Sequence, residues 1–164
     1  MPAAGPKGVP AMQSATLFWK VANGDHPCPH ASSLLGWEFI FYEPDKRQVR
    51  VRFHASASLT TPLQCIHGGM LGAMLDDCMG AAVLAALGPE EVALSARLET
   101  RLLAPALPGH LAGVARVTRR IGKLHYTSGE LHAEDGTLLA TAKACYKVIP
   151  MPPGGVLQGA VEPG

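Results

Sequence analysis

Apolar residues recur at Met70, Leu71, Met74, Leu75, Cys78, Met79, Ala82, Val83, Ala86 and Leu87. This is helical spacing sustained over about five turns. Gly69, Gly72, Ala73, Gly80 and Ala81 give the same segment a second face with almost no side chains. An interior helical glycine costs roughly 1 kcal/mol relative to alanine, so the bare face predicts close approach of another backbone. A helix packed on both sides is therefore expected from the His67-Gly68-Gly69 turn to about Leu87, where Gly88-Pro89 stops it. Asp76 follows Gly69 by seven residues and falls near the bare face. A carboxylate on a buried helix is costly unless it is paired or used.

Strand signals flank this helix. Residues 34–42 are apolar and aromatic, and residues 43–47 form a polar turn. Val49, Val51 and Phe53 then alternate with Arg50, Arg52 and His54, as in a strand buried on one face. A loop at 55–64 leads into the helix. After it, residues 93–103 alternate Leu94, Ala96, Leu98 and Leu102 against Ser95, Arg97, Glu99 and Arg101. Three more strands are expected at 111–118, 124–131 and 138–148, the last two joined by a hairpin at Asp135-Gly136. Residues 14–22 suit a short helix capped by Ser14, with Leu17, Phe18 and Val21 on one side. The expected organisation is a flexible leader with a short helix over 1–30, one domain over 31–149 and a loose Pro/Gly-rich tail over 150–164. Two strands, a long helix and a four-strand antiparallel meander give an α+β architecture, with the sheet curling around the helix.

Composition narrows the function. The 164 residues suit one domain with a real core. A net charge of +1 gives no electrostatic case for nucleic acid or an anionic membrane. With 16% of residues charged and 48% hydrophobic, surface hidden in an oligomer is expected. No apolar run reaches the ~20 residues of a membrane span, and residues 1–12 show no secretion signal. Cys28, Cys65, Cys78 and Cys145 form no CxxC pair and read as reduced structural thiols of a cytoplasmic protein. His26, Cys28 and His30 alternate with prolines. Without a fourth ligand at suitable spacing they read as a stiff turn rather than a metal site. No metal and no cofactor are expected.

Three stretches together resemble the hotdog-fold thioesterases, in their PaaI-like and hydroxybenzoyl-CoA thioesterase branch. The first is His67-Gly68-Gly69 followed by Leu75-Asp76-Asp77 and Met79-Gly80. The second is Leu94-Ser95-Ala96-Arg97-Leu98 with Leu103-Ala104-Pro105-Ala106. The third is Arg116-Val117-Thr118-Arg119-Arg120 with the run from Asp135 to Ala142. The resemblance implies a curved antiparallel sheet wrapped around one helix and an acyl-CoA thioesterase: thioester plus water giving a carboxylic acid and free CoA. It places the Gly68 amide at the helix N-terminus as oxyanion donor, a position favoured by the helix dipole. His67 orients that turn or contacts the thioester. Asp76 is the acid, acting as nucleophile or as general base on water. Ser95 matches a hydroxyl that helps to hold the water or the acid. Thr61, Gln64 and Gly69 fall beside the substrate.

Gly68 and Asp76 are eight residues apart on one helix, roughly 12 Å along its axis. Both cannot touch one carbonyl, so a working site needs Gly68 from one chain and Asp76 from another across a two-fold axis. A homodimer, or a dimer of dimers, is the expected assembly. One departure stands out. Many relatives carry asparagine six residues before the histidine and glycine three before it; here these are Thr61 and Gln64. That motivates an alternative, a non-catalytic acyl-CoA-binding protein on the same fold. A hotdog hydratase is a weaker fit, because the Asp/His arrangement it relies on is absent. Blander readings stand beside these roles. Asp76 suits a structural acid bonded to nearby backbone, Ser95 strand filler, and Asp77, about 100° away on the helix, a structural or interface charge. Arg119, Arg120 and Lys123 suit either CoA phosphates or a solvated hairpin end.

Overall fold

The computed structural model describes residues 15–157. In chain order the elements are α1 (Leu17–Ala22), α2 (His30–Leu34), β1 (Trp37–Glu43), β2 (Gln48–Ala55), α3 (Gly68–Leu84), β3 (Glu91–Leu102), β4 (Gly109–Ile121), β5 (Leu124–Ala133) and β6 (Leu138–Pro150). Short 3-10 turns occur at Pro44–Lys46, Ala57–Leu59 and Pro153–Gly155. The six strands form one antiparallel sheet in the order β1-β2-β4-β5-β6-β3. α3 packs on β2, β3, β4, β5 and β6, so the sheet curls around it. Among the described residues no helix is long and apolar enough to cross a membrane.

Close seating of α3 follows from the sheet's small inward residues. Leu71, Met74, Leu75, Cys78 and Met79 are buried on the helix. They face a floor containing Ala115, Ala140, Ala142 and Ala144, with Gly113 and Gly129 where β4 and β5 cross beneath it. A Cβ on Gly129 would stand 2.9 Å from Met79 Cγ. The helix's bare face meets side chains rather than a backbone: Gly72 faces Thr100 and Gly80 faces the Tyr146 ring. The helix ends three residues before the expected Leu87. Ala86 and Leu87 donate to Val83 and Leu84 in i→i+3 bonds that tighten the exit.

Three other expectations are corrected. Only β4-β5-β6 form a meander; β3 crosses to the far edge and pairs with β6. Along β3, a bulge between Ser95 and Arg97 reverses the alternation. Ser95 stands opposite inward Tyr146, and Leu98, Thr100 and Leu102 stand opposite Ala144, Ala142 and Ala140. Leu94 stands opposite Lys147 on the outer face. The first strand begins at Trp37, not residue 34, because Leu34 closes α2 and Gly36 turns the chain at φ +69°.

The segment ahead of residue 31 also belongs to the core. Trp19 is fully buried and donates through Nε1 to the Ala85 carbonyl at 3.1 Å, tying α1 to the exit of α3. The α1 cap is Thr16, whose hydroxyl accepts from the Trp19 amide. Ser14, residues 1–12 and the end of the tail lie outside the described residues.

Candidate active site

The turn before α3 is fixed from both sides. Ile66 N–H donates to the Ala106 carbonyl and His67 N–H to the Leu59 carbonyl. His67 then caps the helix: its Nδ1 accepts from the Gly69 amide at 3.1 Å. That bond commits the Gly69 amide, and Gly69 lines neither cavity described below. The Gly68 amide has no acceptor among the described residues. An orphan donor at the positive end of a seventeen-residue helix is suited to a developing oxyanion. Gly68 and Thr61 line a cavity of about 310 Å³ with Cys65, Leu102 and Ala104.

Thr61 and Gln64 belong to a tight turn. Gln64 N–H donates to the Thr61 carbonyl, and Thr61 N–H to that of Cys65. The Thr61 hydroxyl sits 3.4 Å from Cys65 Sγ and accepts from the Leu63 amide. Gln64 is exposed, lines neither cavity and adopts φ +62°. That left-handed conformation favours glycine, the residue expected at this position. Gln64→Gly should therefore hold or raise stability, by up to about 1 kcal/mol in urea denaturation, since relief of strain exceeds the added chain entropy.

Midway along α3 lies a second cavity of about 650 Å³, bounded by Asp76, Asp77, Gly80, Ser95 and Tyr146 and by apolar residues of α1, α2, β1 and β3. Tyr146 Oη lies 2.6 Å from Asp76 Oδ1, to which it donates, and 2.8 Å from the Asp76 carbonyl oxygen. Burial, reinforced by Asp76, pushes the Tyr146 hydroxyl well above its ordinary range, so it remains a donor. The β3 bulge turns Ser95 toward this cavity. Asp76, Ser95 and Tyr146 thus meet at one cavity while Gly68 opens onto another. Arg119 and Arg120 are exposed at the end of β4 and line neither cavity.

Sequence reasoning passed over Tyr146. The available signal is a hydroxyl at an inward position of β6, in the row Ala140, Ala142, Ala144, Tyr146, Val148, where a buried tyrosine needs a partner. Asp77 also lies on the cavity despite its rotation from Asp76. Its Oδ1 accepts from Ser32 Oγ at 3.0 Å, tethering α2 to α3, and its Oδ2 is buried without a partner among the described residues. Burial pushes the Asp77 carboxyl up to about 6; the Ser32 hydrogen bond pulls it back and Asp76 raises it further.

This shift carries a sign. The folded chain resists ionising Asp77, so the contribution of this group to stability is greatest below its unfolded value of 3.8 and falls as pH rises toward about 6. A shift of this size corresponds to about 3 kcal/mol. Between pH 4 and pH 7 the stability of Asp77→Asn relative to the parent should rise by that order, measured by urea denaturation at each pH. A constant difference would show that Asp77 ionises freely in the fold.

Residues 63–140 match the family model of the thioesterase superfamily. A solved structure of the phenylacetic acid degradation-related protein of Ralstonia eutropha JMP134 is 32% identical, superimposes with a TM-score of 0.76 and covers 79% of this chain and 98% of that one. The PaaI protein of the E. coli phenylacetic acid degradation operon is 18% identical at a TM-score of 0.70, over 80% of this chain and 93% of that one, a likeness of fold. An uncharacterised protein of Schizosaccharomyces pombe is 30% identical over 100 residues, 60% of this chain, and the match spans 57% of that relative's length. With its sheet curled around one long helix, the chain belongs to the thioesterase superfamily and has the hotdog fold.

Proposed function

We propose that the protein hydrolyses acyl-CoA thioesters to a carboxylic acid and free CoA, at a site that a second copy completes. The observation that carries this reading is the split on one helix. An unpaired Gly68 amide opens onto one cavity, and a tyrosine-held Asp76 carboxyl opens onto another, roughly 12 Å along the axis. The open edge of β3 supports a two-fold partner. Leu94, Leu98 and Leu102 are 39%, 40% and 55% exposed there, and β3 pairs on one side alone.

In this reading the thioester oxygen lies at the Gly68 amide of one copy and Asp76 approaches from the other. Asp76 removes a proton from water as the water oxygen attacks the carbonyl carbon, or attacks that carbon itself. Negative charge develops on the carbonyl oxygen and is met by the Gly68 N–H. On the water route, collapse breaks the carbon–sulfur bond and the thiolate takes the proton that Asp76 had accepted. On the direct route, collapse expels the thiolate and leaves an acyl–Asp76 anhydride. Water hydrolyses this to the carboxylic acid and free Asp76, the released proton going to the thiolate. Tyr146 and Ser95 hold the carboxylate and the water. His67 acts through the turn that it caps. Where chemistry occurs, thiol release from a panel of acyl-CoAs shows repeated turnover. Heat of binding without thiol release supports the acyl-CoA-binding alternative. One observation favours that alternative: the hydroxyl replacing the family asparagine, Thr61, is engaged within its own turn.

A further inference from the structure

Resting on the thioesterase reading, we infer that the cavity beside Asp76 selects uncharged, apolar acyl groups much larger than acetyl, with Phe18 and the bare face of α3 setting how much acyl group fits. The cavity, about 650 Å³, lies within the range of roughly 300–1,000 Å³ typical of sites for drug-sized ligands and far exceeds what an acetyl group needs. Its walls are mainly apolar, including Leu17, Phe18, Leu35, Trp37, Leu84 and Val92. The charged groups among its lining residues are Asp76, Asp77 and Glu91, all acidic. An acyl group ending in a carboxylate would be buried there without a counter-charge and repelled.

The space has a structural origin. Ala73, Gly80 and Ala81 line it from α3, where larger side chains would fill it. A Cβ on Gly80 would meet nothing nearer than the Tyr146 ring at 3.7 Å. Phe18 lines it from α1 and is held rigidly. Its ring meets those of Trp19, Phe39 and Trp37 edge-on at centroid distances of 5.1, 6.2 and 6.5 Å, and Trp19 anchors α1 to Ala85. An aromatic side chain held by three ring contacts and a set of small helix residues thus line the same cavity, so the size of each bears on how much acyl group fits.

The test is kcat/KM of the full-length protein, read by thiol release, on straight-chain acyl-CoAs from acetyl to palmitoyl, with phenylacetyl-CoA and succinyl-CoA alongside. Each buried methylene should raise kcat/KM about fourfold from acetyl upward, to a plateau where the cavity is filled. Phenylacetyl-CoA is accepted, and succinyl-CoA falls at least about 100-fold below pentanoyl-CoA. Phe18→Ala should move the plateau to longer chains and Ala73→Leu to shorter ones, with circular dichroism showing both folded. A profile flat from acetyl onward, succinyl matching pentanoyl, or folded variants with an unmoved plateau would overturn the inference. If no acyl-CoA turns over, the hydrolase reading fails instead. Chain-length selection is then read by calorimetry on the same ligands, where equal affinities for acetyl-CoA and decanoyl-CoA contradict it.

Discussion

Asp76→Ala should lower the rate of thioester hydrolysis by about 10²–10⁴, the usual contribution of a positioned base. Asp76 is one carboxylate on a cavity wall, its Oδ1 fixed by a hydroxyl that stays protonated. The fold should tolerate the change. Without the carboxylate, Tyr146 still has the Asp76 carbonyl oxygen as an acceptor at 2.8 Å, so no buried donor is stranded. The variant should therefore melt close to the parent and bind acyl-CoA while releasing thiol slowly. Equal turnover by variant and parent across an acyl-CoA panel would remove Asp76 from the mechanism.

The largest expected effect on stability lies at Gly113→Val. Gly113 sits on β4 under α3, and a Cβ there would stand 2.8 Å from Val51 Cγ2 and 3.1 Å from both Cys78 Sγ and Phe53 Cε2. These neighbours are 1%, 0% and 0% exposed, and so have nowhere to move. Relief requires lifting the helix or bending two strands. Overpacking of a tight core typically costs 1–3 kcal/mol, and valine adds two methyls beyond that Cβ, so about 3 kcal/mol or more is expected. For a chain of this size that lowers Tm by roughly 6–12 °C in a thermal melt. A melting temperature within a degree or two of the parent's would mean that α3 is not seated on the sheet as described.

Where one period governed a segment, the chain was legible. The spacing of Met70, Leu71, Met74, Leu75, Cys78 and Met79 gave α3, and the alternation of Val49, Val51 and Phe53 gave β2. Asp135-Gly136 marked its hairpin because Gly136 needs φ +88° and Asp135 Oδ1 accepts from the Thr137 amide at 2.9 Å. What escaped depends on tertiary partners. The alternation on β3 held for Leu98 and Leu102 but failed for Leu94 and Ser95, because the bulge between Ser95 and Arg97 puts the residues before it on the opposite face, and no local pattern announces it. The position of β3 beside β6 is a long-range choice. Trp19 looked like part of a leader because its partner, Ala85, is sixty-six residues away. The acid at position 76 was visible from the resemblance. The phenol holding it, seventy residues on, and the burial of Asp77 against Ser32 were not.

The functional account turns on whether two copies share one reaction centre. Gly68→Pro deletes the amide hydrogen at the first helical position, where proline is favoured; His67 already has the extended backbone that a following proline requires, and the added Cβ displaces only the tip of the exposed Leu102 side chain. Co-expression of differently tagged Asp76→Asn and Gly68→Pro chains, followed by double-tag purification, isolates the mixed dimer. Each variant alone should be nearly inactive. The mixed dimer should recover about half of the parental thiol-release rate, because one of its two centres pairs an intact Gly68 with an intact Asp76. A mixed dimer as inactive as either parent variant would place the whole reaction within one chain and contradict the account.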